Sequence, residues 1–236
     1  MKLAASFASR LVVWSTALAV VTVISATQAA SQQGKAAVTA IVGTAEYSTN
    51  GGAFMVLKVG TVLRAGSQVI TGGGSHVDLY LGKNNGVARV AESSEVDVVK
   101  LTYSDTGVDR VIDTEFNVRK GHMQISAPDK MAPASKYEIT TPKGMAGIRG
   151  TKFDIFVCRV IVIEGKVQFV LFDPGGKDVP FVVTPRTQYD CVTGLTHLSN
   201  EEVVLLEGEI NSIVGVTGPE PIIEIPPIEP FLSPIK

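Results

Sequence analysis

The stretch TPKGMAGIRGTKFDIFV, Thr141 to Val157, sets glycines at 144, 147 and 150 around Arg149, just ahead of an apolar run. Three uses of such glycines compete: a phosphate cradle, a nucleic-acid clamp and a structural turn. A phosphate-binding P-loop needs G-x-x-x-x-G-K-[ST], and five residues after Gly144 stands Arg149 rather than glycine. The dinucleotide fingerprint G-x-G-x-x-G also fails, because the glycines here are spaced three and three. A G-x-x-G clamp is formally present twice, but it needs helical flanks and these flanks read as strands. The turn remains. Bare glycine lets the backbone turn and approach a neighbouring layer where a Cβ would clash. On this reading Gly147→Val impairs folding. Arg149 carries five donors in a rigid fork and is expected to tie loop carbonyls or a carboxylate across the turn. Contact with an anionic ligand or partner is the alternative role.

Outward from this segment the pattern is β. HVDLYL (His76 to Leu81) alternates, with Val77, Leu79 and Leu81 on one face and His76, Asp78 and Tyr80 on the other. Asn85-Gly86 follows as a hairpin signal, since both residues tolerate positive φ. VARV, EVDVVKL, KYEIT, KFDIFVCRVIVI, KVQFVLF and VPFVV continue the strands, with tight turns expected at Glu164-Gly165 and at Asp173 to Gly176. Many short strands with frequent turn residues predict an all-β fold over residues 38–192: a multi-stranded sandwich or roll, or a short β-solenoid-like domain. One C-terminal helix is predicted over 199–215. There Val203, Leu206, Ile210 and Ile213 fall at helical spacing, Ser199 and Glu202 form a capping box, and Gly215 offers a stop. Residues 218–236 hold six of the twelve prolines, interleaved with isoleucine and three glutamates, and read as an extended tail.

The N-terminus addresses the compartment. Lys2 and Arg10 precede an uncharged apolar run, Leu11 to Ala26, and small residues follow. This is the order of a secretory signal peptide over 1–29, cut after Ala29. An uncleaved anchor is the alternative, although the run falls short of the roughly 20 residues a membrane-spanning helix needs. No stable membrane span is expected after cleavage. Removing Lys2 and Arg10 takes the net charge from −2 to −4, and Trp14, the only tryptophan, leaves with them. No long basic run exists, so a nucleic-acid partner is not expected. Cys158 and Cys191, an even count in an exported chain, are expected to form a disulfide; a catalytic thiol is the alternative, but Cys158 sits in an apolar strand-like run where an activating base is hard to reach. No H-x-x-x-H, C-x-x-C or G-x-S-x-G spacing occurs. No metal, cofactor or catalytic residue is therefore proposed.

TPKGMAGIRGTKFDI resembles the hallmark segment of the FecR domain family, T-P followed by A-G-x-R-G-T-x-F. Thr141, Pro142, Ala146, Gly147, Arg149, Gly150, Thr151 and Phe153 fall on that pattern, with Gly144 between. Upstream, GAFMVLKVGTVLRAGSQVITGGGSHVDLYL is similar to the family's G-x-x-L-x-x-G-D-x-I-x-T-G region, with Phe54 where Trp is usual and Ser67 where Asp is common. VRKGHMQI and VIEGKVQF match later elements. The resemblance implies a domain like that of membrane regulators, which relay a receptor's state to a sigma factor. Those regulators place a cytoplasmic segment and a span ahead of it; none is expected here, so direct relay is not expected either. What the resemblance implies is an exported, non-catalytic sensing or protein-interaction module of the bacterial envelope, periplasmic or extracellular, with an envelope protein partner. The alternative is an envelope structural or carbohydrate- or peptidoglycan-binding module. A hydrolase of unrecognised type would need a pocket of convergent ionisable groups.

Overall fold

The computed structural model describes residues 30–172, 175 and 178–214. The expected signal peptide with Trp14, the expected proline-rich tail, Gly215, and Asp173, Pro174 and Gly176 of the expected turn lie outside the described residues. The strands are β1 (Gln32–Gln33), β2 (Ala36–Val42), β3 (Ala45–Thr49), β4 (Met55–Val56), β5 (Val62–Leu63), β6 (Ser67–Thr71), β7 (His76–Tyr80), β8 (Val87–Val90) and β9 (Glu95–Asp105). Then come β10 (Arg110–Lys120), β11 (His122–Ser126), β12 (Lys136–Thr141), β13 (Gly144–Phe156), β14 (Arg159–Leu171), β15 (Val179–Val183), β16 (Thr187–Asp190) and β17 (Gly194–His197), with helix α1 (Asn200–Val214) last.

All of these strands belong to one curled sheet, a flattened barrel of two layers left unpaired between β4 and β5. One layer runs β4–β3–β6–β9–β10–β12, and the other runs β5–β2–β7–β8–β11. Strand β13 joins them. Its first half pairs with β12 and its second half with β11, while β14 follows it along both. The predicted all-β class thus takes its roll form. The alternation read in HVDLYL aims Val77 and Leu79 into the space between the layers, where Phe116, Tyr137, Phe153 and Phe169 are also fully buried. Each fully buried side chain of this size contributes roughly 1.5–3 kcal/mol by leaving water.

Three local expectations change. KFDIFVCRVIVI is not one strand: the chain reverses at Val157-Cys158, and the two halves pair antiparallel. Glu164-Gly165 is not a turn: β14 runs through it, opposite a register shift at Gly150-Thr151 in β13. Two long bent strands therefore replace shorter ones. The β7–β8 hairpin forms, and Asn85 and Gly86 adopt positive φ (55° and 96°). Its connection is longer than a two-residue turn because Asn84, in a single 3-10 turn, drops between the layers. There Asn84 Nδ2 donates to the carbonyls of Thr102 and Asp113 and to Thr114 Oγ1.

Helix α1 covers the outside of the second layer, against β8, β11 and β14. Val203, Ile210 and Ile213 are buried, and Ile210 packs on Ile161 and Ile163 of β14. This explains why β14 is apolar on both faces: Val160 and Val162 face the barrel interior and the two isoleucines face the helix. The capping box closes as expected. Glu202 N–H donates to Ser199 Oγ (3.3 Å), and Ser199 N–H donates to Glu202 Oε2 (2.8 Å). The Ser199 backbone and hydroxyl bonds hold the Glu202 carboxyl below its ordinary range.

Candidate functional site

The glycine segment builds the bend that carries one hairpin across both layers. Thr141 Oγ1 accepts from the N–H of Lys143 and Gly144 and donates to Val157 O (2.9 Å), so the start and end of the segment meet. Pro142 is exposed beside it. A Cβ on Gly144 would lie 2.5 Å from the Phe169 ring and 2.6 Å from Val170 O. Gly150 has φ +60° and faces the Asp129 backbone at 3.2 Å. Opposite it, Gly165 has φ +81°, and its Cβ would stand 2.0 Å from Gly150 O. Thr151 Oγ1 donates to Lys166 O (3.1 Å) across the bend, and Phe153 is wholly buried in the core.

Gly147 differs from the reading of the sequence. Nothing stands within 3.8 Å of its Cβ position, so side-chain bulk is not excluded there. The third crowded glycine is Gly165, on the partner strand. Arg149 is exposed, and its Nη2 donates to the carbonyls of Met131 (2.9 Å) and Ala132 (3.0 Å), which pins the loop ahead of β12. These contacts are with loop carbonyls, the first of the two roles considered for it. Cys158 and Cys191 form a disulfide between the β13–β14 turn and the β16–β17 turn. Beside it, Cys191 N–H donates to Cys158 O (3.0 Å).

A second cluster lies on the outer face of the same layer, partly under α1. Arg89 of β8 grips Asp78 of β7 through two bonds, Nε to Oδ1 (2.6 Å) and Nη2 to Oδ2 (2.8 Å), and Asp78 is buried. Arg89 Nη1 also donates to Ser212 of the helix (3.2 Å). Beside this pair, His122 Nδ1 of β11 bonds both oxygens of Asp154 of β13, at 2.9 and 3.1 Å. Gln124 Nε2 donates to Glu209 of the helix (2.8 Å) and more weakly to Asp154 (3.4 Å). Burial raises the Asp154 carboxyl above its ordinary range, and the hydrogen bond from His122 opposes that shift. The His122 ring stacks on Phe156 (4.2 Å, 3° between planes), and the Arg159 guanidinium caps the other face of Phe156 at 4.0 Å. A recess of about 350 Å³ opens here, between Gly74–His76, Glu92, His122 and Glu209.

An Asp–His pair invites comparison with a nucleophile's base. A hydroxyl or thiol in reach of the free imidazole nitrogen would then be needed. Ser75 lines the recess, but its Oγ accepts from Thr44 N–H (3.0 Å) and lies near Gly73 O (3.3 Å). His122 Nε2 makes no hydrogen bond among the described residues. The pair instead belongs to a polar pedestal on which the helix sits, bonded to it through Gln124 and Arg89. Among the described residues, no three His, Cys, Asp or Glu side chains gather as a metal site.

The hallmark residues therefore converge on one bend, while the polar cluster joins residues that no single motif contains. Its only sequence signal is that outward positions of β7, β8, β11 and β13 are all polar (Asp78, Arg89, Gln124 and Asp154).

Comparison with known proteins adds a family. Residues 67–168 match the model for the FecR protein family. No curated protein matches. Two crystal structures of proteins provisionally described as anti-sigma factors from Parabacteroides distasonis ATCC 8503 are similar. One is 13% identical and covers 58% of this chain and 62% of that chain, with a TM-score of 0.43. The other is 14% identical and covers 60% and 65%, with a TM-score of 0.45. The chain thus spans less than two thirds of either protein. The family match runs from the start of β6 into β14 and contains the bend, the arginine and the polar pedestal. It is over residues 67–168 that this chain is similar to the FecR protein family.

Proposed function

We propose that the chain is an exported, non-catalytic sensing or protein-interaction module of the bacterial cell envelope that takes part in signal transduction. The observation that carries this is the family match over residues 67–168, which contains a bend whose glycines, Arg149 and Thr151 are spent on architecture. The Cys158–Cys191 disulfide suits an oxidising compartment outside the cytoplasm. Among the described residues, the hydroxyl that lines the recess beside the Asp154–His122 pair, Ser75 Oγ, is bonded to backbone instead, and the reading therefore takes recognition over catalysis. Recognition would proceed through a strand edge or the helix, by added strand pairing or a docked face. Among the described residues no helix is long and apolar enough to cross a membrane; strands that cross a membrane are a separate matter.

The carbohydrate-binding alternative would be favoured by a row of exposed aromatics on one sheet. Exposed phenylalanines among the described residues are Phe54, before β4, and Phe172, after β14, at opposite ends of a layer.

The test is expression of the full tagged chain in a bacterial host, followed by fractionation and in vivo cross-linking. Expected are an envelope location, an N-terminus lacking Trp14, and one protein cross-linked in near-stoichiometric yield. A full-length cytoplasmic product, or retention on peptidoglycan with no protein partner, would overturn the proposal.

A further inference from the structure

We infer that the free edge of the barrel, residues 54–62, is the docking strip for this chain's own proline- and isoleucine-rich segment 218–236. This does not depend on the functional reading above. Strand β4 ends one layer and β5 ends the other. Each is two residues long and has a single neighbour, β3 and β2 respectively. Between them Leu57 plugs the core, 4% exposed. Phe54, Met55, Val56, Val59 and Val62 stand outward, exposed by 44, 51, 68, 62 and 40%. A contiguous apolar strip beside an unpaired edge is a template for another extended segment. Lys58 lies within the strip and Arg64 just beyond it, both exposed, and neither forms an ion pair among the described residues.

Charge, composition and reach select the occupant. Segment 218–236 interleaves Ile222, Ile223, Ile225 and Ile228 with Glu220, Glu224 and Glu229. The isoleucines suit the valine strip, and the glutamates suit Lys58 and Arg64. Its prolines donate no backbone hydrogen bond, which a strand tolerates only at the outer edge of a sheet. The helix sets the direction. Leu198, just before its start, packs against the cluster of Ile161 and Ile163 on β14, and Ser212, near its end, bonds Arg89 on β8. Beyond β8 lie β7, β2 and β5, three strand spacings or about 15 Å, which about five extended residues cover. That brings the chain after Val214 to the strip at about Glu220.

The test places a photo-cross-linking phenylalanine analogue at the exposed position Phe54 of the full chain. Cross-linked peptides are then mapped in a mixture of isotope-labelled and unlabelled protein. Cross-links within one molecule to residues 218–236 are expected. The pair Ile223→Glu and Ile225→Glu should cut their yield about tenfold or more, with the thermal transition of the barrel unchanged. Cross-links between labelled and unlabelled copies, cross-links to another region of the chain, no cross-link, or an unchanged yield in the variant would each overturn the inference.

Discussion

The bend at Gly150 and Gly165 and the pedestal at Asp154 share one hairpin, four residues apart on β13, yet they are built in opposite ways. The bend works because side chains are missing: two backbones approach until a Cβ at Gly165 would lie 2.0 Å from Gly150 O. The pedestal works because polar side chains crowd a face that α1 then covers, leaving Asp154 2% and Gln124 3% exposed. The first constraint is a steric one between neighbouring strands. The second exists only once a helix from the far end of the described chain arrives. Close approach within a hairpin leaves a local mark in the sequence, and cover by a distant element does not.

Substitutions at the glycines separate crowded from open positions most sharply. Gly165→Ala should cost at least about 3 kcal/mol, from the clash and the left-handed backbone together, or prevent folding. Gly147→Ala should stay within about 1 kcal/mol of the parent. Urea titration of both variants checks this, and equal effects would break the distinction. At the other end of the hairpin, Cys158→Ser with Cys191→Ser should lower stability by roughly 2–4 kcal/mol on the chain-entropy view, read as a shifted denaturation midpoint. Arg149→Ala removes two bonds to loop carbonyls at an exposed position and should cost about 1–2 kcal/mol. Hydrogen exchange should rise in the loop around Met131 and Ala132 and not under α1.

The pedestal should show itself through pH. The Asp154 carboxyl is raised in the folded state by burial, with His122, Gln124 and Glu209 around it. The folded protein therefore holds a proton that the unfolded chain has already released. Its contribution to stability is full below the ordinary aspartate value, about 4, and is lost as pH rises through the folded value. Asp154→Asn should flatten that part of the stability profile. An identical slope in both proteins would mean that the carboxylate is not shielded by the helix.

Much of the architecture could be read before any coordinates. Alternation at Val77, Leu79 and Leu81, the helical spacing of Val203, Ile210 and Ile213, and the capping box at Ser199 and Glu202 each follow from local periodicity or hydrogen bonding. The Glu164-Gly165 pair misled because glycine with positive φ serves a tight turn and a bulge equally well, and only the register of the opposing strand decides between them. Gly147 misled because spacing along the chain cannot show which glycine faces a neighbour. The pedestal was invisible because Asp78, Arg89, Gln124 and Asp154 occupy the outward positions of their strands, where polar residues ordinarily meet water.

Because β13 and β14 serve both layers, the two halves of the body cannot hinge apart without breaking the hairpin they share. Helix α1, by contrast, is held by Ile210 on Ile161 and Ile163 and by side-chain bonds to Arg89 and Gln124, so its departure would unpair no strand.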